Sequence, residues 1–124
     1  MKKLLCALLF TLAATQAAAQ TTYTGVWAMD VPLTTNYYSV HQNGSAVIVA
    51  SLDASDAEWE ALQGSITSNV AVVNSIYTQG GSFNVRITFS STTTGSFVVL
   101  SCTPSPGRVC AVPVGVTIPI KKIF

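Results

Sequence analysis

Phe83, Val85, Ile87 and Phe89 alternate with Asn84, Arg86 and Thr88, so a strand laid over them buries one face and wets the other. The same two-residue period recurs in short stretches between turn signals, as an antiparallel meander requires. Tyr23 to Met29 reads as the first strand. Asn36 to Gln42 and Ser45 to Leu52 flank Asn43-Gly44, and this dipeptide predicts a hairpin because both central residues of a type I′ turn need positive φ. Beyond residue 89, Thr92-Thr93-Thr94-Gly95 turns the chain into a strand over Ser96 to Cys102. Val114 to Phe124 supplies the last strand, and Pro119, lacking an N–H for the ladder, puts it at an edge or breaks it there.

The middle of the chain follows two patterns at once. Ser55 and Glu58 have capping-box spacing, Trp59 and Leu62 share a helical face, and Gly64 suits a helix C-cap, a combination compatible with a short helix over 56–63. Between Ile66 and Tyr77 the residues Ile66, Val70, Val73 and Tyr77 fit a helical stripe. The wealth of Val, Ile, Thr and Asn there, with the alternation of Ile66, Ser68 and Val70, favours strands, and strands are the expectation. About seven or eight strands with few long connections close most simply on themselves, because closure removes edges that invite aggregation. The predicted fold is all-β, a small antiparallel up-and-down barrel or a strongly curled sheet.

The first residues of the 124-residue chain belong to a different pattern. Lys2 and Lys3 precede an apolar run from Leu4 to Leu12, and a small-residue segment ends in Ala17-Ala18-Ala19. This predicts a secretory signal peptide over 1–19, cleaved near Ala19, and a single periplasmic or secreted domain over 20–124. Cys6 lies inside the apolar run rather than just after it, which argues against a lipid anchor. Cys102 and Cys110 then form an even pair in an oxidising compartment, bounding a loop that contains Pro104, Pro106 and Gly107, and they predict a structural disulfide. A redox pair more often has Cys-x-x-Cys spacing, and two thiols without further His or Cys make a poor zinc site. Without Lys2 and Lys3 the chain keeps four basic residues, Arg86, Arg108, Lys121 and Lys122, against five acids, a net charge of about −1. That balance offers no basic surface to nucleic acid.

Gly25-Val26-Trp27, Tyr38-Ser39-Val40-His41-Gln42-Asn43-Gly44, Trp59 followed by Gly64, Thr88-Phe89-Ser90-Ser91 with Thr94-Gly95, and the closing Ile120-Lys121-Lys122-Ile123-Phe124 together resemble a group of small secreted proteobacterial β domains, mostly uncharacterised. The resemblance runs over nearly the whole mature chain, apart from the loop between Cys102 and Cys110. It implies fold and compartment, and no activity. The Gly-x-Trp start with a basic residue near the last strand also resembles lipocalin and avidin barrels, in which the Trp closes one barrel end against a basic side chain. That likeness would pair Trp27 with Lys121 or Arg108.

Few residues offer chemistry. His41 is the only histidine, and Ser39 shares its strand face, but no Gly-x-Ser-x-Gly elbow and no local acid accompany them. A structural histidine is the expectation. Asp53, Asp56, Glu58 and Glu60 cluster in one stretch whose spacing departs from an EF-hand loop and lacks its central glycine. They read as a solvated helix start, favoured by the helix dipole, rather than a cation site or a glycosidase pair. Asn43-Gly44-Ser45, although a sequon, reads as turn chemistry. No catalytic residue, metal site or cofactor is therefore expected.

Most aromatics of so small a chain must fill its core. Trp59, Tyr37, Tyr38 and Trp27 are the candidate ligand-binding residues, and because Tyr37 and Tyr38 point to opposite strand faces, at most one of them belongs to the core. A terminal Phe124 with Val116, Ile118 and Ile120 in alternation fits an outer-membrane barrel, but Lys122 on the same face, Pro119 and the short chain argue against membrane insertion. The function expected is non-enzymatic binding of a small apolar molecule, a glycan or a protein partner. Its rivals are a structural or surface-assembly subunit and a small outer-membrane barrel.

Overall fold

The computed structural model describes residues 21–31, 34–53, 58–77, 81–110 and 112–124. The signal segment over 1–19, and with it Cys6, lies outside the described residues. Eight strands follow one another: β1 (Gly25–Val31), β2 (Thr34–Asn43), β3 (Ala46–Asp53), β4 (Glu58–Thr67), β5 (Val70–Tyr77), β6 (Gly81–Phe89), β7 (Thr94–Pro104) and β8 (Thr117–Lys122). Each pairs antiparallel with the next, and β8 pairs with β1, giving a closed up-and-down barrel. The described residues contain no helix.

The two-residue period sorts side chains between interior and outer wall. Trp27 and Met29 of β1, Val40 of β2, Val47 and Val49 of β3, Leu62 and Ile66 of β4, Ala71 and Val73 of β5, Val85, Ile87 and Phe89 of β6, Phe97 and Val99 of β7, and Ile118 and Ile120 of β8 form one buried cluster. Gln63, Ser65, Thr67, Asn74, Arg86 and Lys121 stand exposed on the other face. An eight-stranded barrel has an interior just wide enough for side chains, and here they occupy it.

At the end of the barrel holding the β2–β3, β4–β5 and β6–β7 turns, Tyr23 leaves the ladder and becomes a plug. Its ring stacks on Phe89, centroids 4.1 Å apart, and its N–H donates to Gln42 Oε1 at 3.0 Å. This is why β1 begins at Gly25 and not at Tyr23. The first hairpin also turns one residue later than Asn43-Gly44 predicts. Asn43 pairs with Ala46, so Gly44 and Ser45 are the central residues, and only Gly44 has positive φ, at 60°. A glycine at the first central position suits a type II′ turn, which carries the right-handed twist as well as type I′ does.

The helix expected over 56–63 is corrected. Residues 58–63 are strand, with Trp59 opposite Leu52, Ala61 opposite Ala50 and Gln63 opposite Ile48. A local capping pattern yields to a ladder that satisfies the backbone over the whole stretch and continues the alternation into Leu62 and Ile66. Gly64 is accordingly no C-cap. It sits against β5 so closely that a Cβ there would lie 1.9 Å from the Val72 carbonyl oxygen. Residues 66–77 form strands, as their composition predicts, with Ser68 and Asn69 in the turn between them.

The last strand is shorter than 114–124, since Val114 and Gly115 form a turn. Pro119 lies on neither an edge strand nor a break. The amide of Lys122 donates to Thr93 on the β7 side and that of Ile123 to Val26 on the β1 side, so odd-numbered positions of β8 point toward β1. The β1–β8 register ends at Met29 with Ile120. The N–H that Pro119 lacks would therefore point past the end of that pairing, where it costs no ladder bond.

Cys102 and Cys110 are bonded, with Cα atoms 6.3 Å apart. In β7, Leu100 is an extra residue between the pairs Val85–Val99 and Asn84–Ser101. This bulge shifts the alternation by one, so that Cys102 packs against the core although Val99, three residues earlier, does as well.

Candidate functional site

The outer wall carries a groove built from residues of four neighbouring strands. Val26 of β1, Ser39 of β2 and Ala50 of β3 lie in one row across the sheet, since Val26 pairs with Ser39 and Ser39 with Ala50. Their short side chains leave a low floor. Tyr37, two residues along β2, and Trp59 of β4, which pairs with Leu52 of β3, stand beside that row, 52% and 49% exposed. Tyr38 and Ser51, paired across β2 and β3, complete the lining. The groove is shallow and open, with a volume of about 630 Å³, and none of its lining residues carries a formal charge.

Three of the four candidate binding residues, Tyr37, Tyr38 and Trp59, thus meet at one place, and alternation explains their different roles. Tyr37 points outward from β2 and Tyr38 inward, where its ring packs against the core 6.0 Å from that of Phe97. Trp59 points outward because Leu62 fixes the even-numbered face of β4 toward the interior. Trp27 is not brought to this groove. It is 1% exposed, donates from Nε1 to the Tyr23 carbonyl at 2.9 Å and lies 5.0 Å from the Phe89 ring. It helps fill the plugged end of the barrel, and its cross-strand neighbour there is Lys122. Lys121 stands outside, opposite Ala28, and Arg108 belongs to the β7–β8 loop at the other end, so neither matches the basic partner that the lipocalin-like start implies.

Ser39 links the groove to His41. Ser39 Oγ and His41 Nε2 are 2.6 Å apart, both on the outer face of β2. A hydroxyl and an imidazole so placed can donate and accept hydrogen bonds, and among the described residues no carboxylate orients the ring. Asp56 lies outside the described residues, as do the side chains of Asp53 and Glu58, so the acidic stretch is described only at Glu60. Among the described residues no three His, Cys, Asp or Glu side chains gather as metal ligands.

Val26, Ala50 and Ser51 escaped sequence reasoning. For Val26 and Ala50 the signal is a short side chain at outward-facing positions of nearby strands, and for Ser51 it is the pairing with Tyr38, both of which become visible only once the register is known. No family model matches the chain, and no curated protein or solved structure matches it either.

Proposed function

We propose that the chain is a non-enzymatic binding protein of the periplasm or extracellular space that takes its ligand on the outside of the barrel, in the groove between Tyr37 and Trp59. The observation that carries this reading is the presence of two half-exposed aromatic rings beside a low floor of Ser39 and Ala50 on the outer wall, while the described inward-facing side chains form one packed cluster. Large rings held half in water on a rigid sheet present contact area with little side-chain freedom to lose on binding. The Cys102–Cys110 disulfide is compatible with an oxidising compartment, in agreement with the pattern over residues 1–19.

Two features count against the rival readings. Closure of β8 on β1, through Trp27–Lys122, Ala28–Lys121 and Met29–Ile120, takes up the middle of the strand edge that a surface-assembly subunit would offer a neighbour. The buried apolar cluster, Ile118 and Ile120 of β8 included, points inward, and although Ile48, Val72 and Ile76 are exposed, the polar Gln63, Asn74, Arg86 and Lys121 interrupt the outer wall where a membrane-spanning barrel carries an apolar band.

The test is a titration of the protein, purified without denaturation, against N-phenyl-1-naphthylamine as an apolar probe and a panel of soluble oligosaccharides, read by calorimetry. The wild type is expected to bind at least one of these classes, and the double variant Tyr37→Ala with Trp59→Ala to lose that binding while keeping its far-UV spectrum. Absence of any binding, or equal binding by the double variant, would contradict the proposal.

A further inference from the structure

We infer that the ligand of this groove is a neutral glycan, held with the apolar faces of its sugar rings on Tyr37 and Trp59 and its hydroxyl edge toward Ser39 and His41. The inference rests on the reading of the groove as a binding site and adds the class of its occupant.

Shape comes first. Sites for apolar small molecules enclose most of the ligand surface, whereas this groove is open along its length and would leave much of an apolar guest in water. A protein partner needs about 800 Å² and roughly 20–30 residues on each side, far more than the short floor between Tyr37 and Trp59 supplies. A sugar needs neither enclosure nor a wide interface, because its C–H face is apolar and its hydroxyls remain satisfied by water.

Spacing and charge point the same way. Tyr37 stands on β2 and Trp59 on β4, with β3 between them, so their strands are about 9–10 Å apart, a span suited to about two sugar units. None of the described residues lining the groove is charged, so none of them attracts the phosphates of a single-stranded nucleic acid or an ionic lipid headgroup. Its Ser39 shares a hydrogen bond with His41, the two atoms 2.6 Å apart, and both side chains have capacity for more. A hydroxyl-rich, uncharged molecule with apolar ring faces is the chemistry that suits the aromatic side chains, the small floor and the hydrogen-bonding Ser39–His41 pair together.

The experiment titrates the protein with neutral oligomers of glucose, galactose and N-acetylglucosamine in both anomeric linkages, beside N-phenyl-1-naphthylamine, using calorimetry and indole fluorescence. At least one neutral oligosaccharide should bind, and Trp59→Ala should weaken it by about tenfold or more while Trp59→Phe, which keeps a ring, weakens it less. His41→Ala should weaken binding without altering the response to the apolar probe. If only the apolar probe binds, and Tyr37→Ala with Trp59→Ala abolishes that, the glycan assignment fails and the groove survives as a site. If nothing binds, both fail. Oligosaccharide binding that neither Tyr37→Ala nor Trp59→Ala alters would overturn the placement of the glycan in this groove.

Discussion

The two tryptophans should respond to the same substitution in opposite ways, because one is structural and the other faces solvent. Trp27→Ala removes a ring that is 1% exposed, packed on Phe89 and hydrogen-bonded to the Tyr23 carbonyl. Emptying such a site costs about 3–5 kcal/mol in lost burial and cavity formation. The orphaned Tyr23 carbonyl, loosened with its ring from the barrel end, puts the total at the upper end of that range. For a domain of about 100 residues, each kcal/mol lowers Tm by roughly 4–8 °C, so a fall of about 20 °C or more is expected. Trp59→Ala removes a ring that is 49% exposed on the outer wall, where cross-strand contacts are worth roughly 0.2–1 kcal/mol, so Tm should fall by only a few degrees. Urea unfolding followed by far-UV circular dichroism measures both, with equal slopes as the check that only stability has changed. If Trp59→Ala costs as much as Trp27→Ala, Trp59 is part of the core and the groove has been misassigned. If Trp27→Ala costs less than about 1 kcal/mol, the plugged barrel end is wrong.

Other positions test the register and closure of the barrel. Gly64→Ala should destabilise by about 2–3 kcal/mol in urea unfolding, because the added Cβ meets the Val72 carbonyl oxygen and must push β4 away from β5. Reduction of Cys102–Cys110, or its replacement by two serines, should cost about 2–3 kcal/mol by the loop-closure estimate, seen as a lower Tm with the far-UV spectrum retained. Pro119→Ala should change stability by less than about 1 kcal/mol, since the restored N–H points past the end of the β1–β8 pairing; stabilisation beyond that would mean a ladder partner awaits it.

Where the two-residue alternation was strong, the fold was legible before any coordinates. Residues 83–89 and their hairpin partner needed nothing beyond the period of Phe83, Val85, Ile87 and Phe89. Residues 58–63 misled because the capping spacing of Ser55 and Glu58 is a local signal, while the preference for strand comes from β3, whose partners are up to about 20 positions away along the chain. Gly64 could be read as a cap for the same reason: what requires glycine there is the neighbouring backbone of β5, which no local pattern records. The turn at Gly44 was displaced by one position because Asn43-Gly44 and Gly44-Ser45 both suit mirror-image turns, and pairing of Asn43 with Ala46 decides between them.

The candidate site was half legible. Tyr37, Tyr38 and Trp59 stood out as aromatics with outward alternatives, but nothing along the chain says that Trp59 lies two strands from Tyr37 with β3 between them. Trp27 could not be separated from that group by sequence, since burial at a barrel end depends on Tyr23 folding back over Phe89.

The two indole N–H groups give the most direct test of a ligand site outside the barrel. In a ¹H–¹⁵N correlation spectrum, Trp27 should appear as a protected, hydrogen-bonded indole and Trp59 as an exposed one. On titration with neutral oligosaccharides and with N-phenyl-1-naphthylamine, the Trp59 indole and the amides of Tyr37, Ser39 and Ala50 should move while the Trp27 indole stays in place. Movement of Trp27 and the inward-facing positions Val49, Leu62 and Val85, with Trp59 unaffected, would place the ligand inside the barrel and contradict the account.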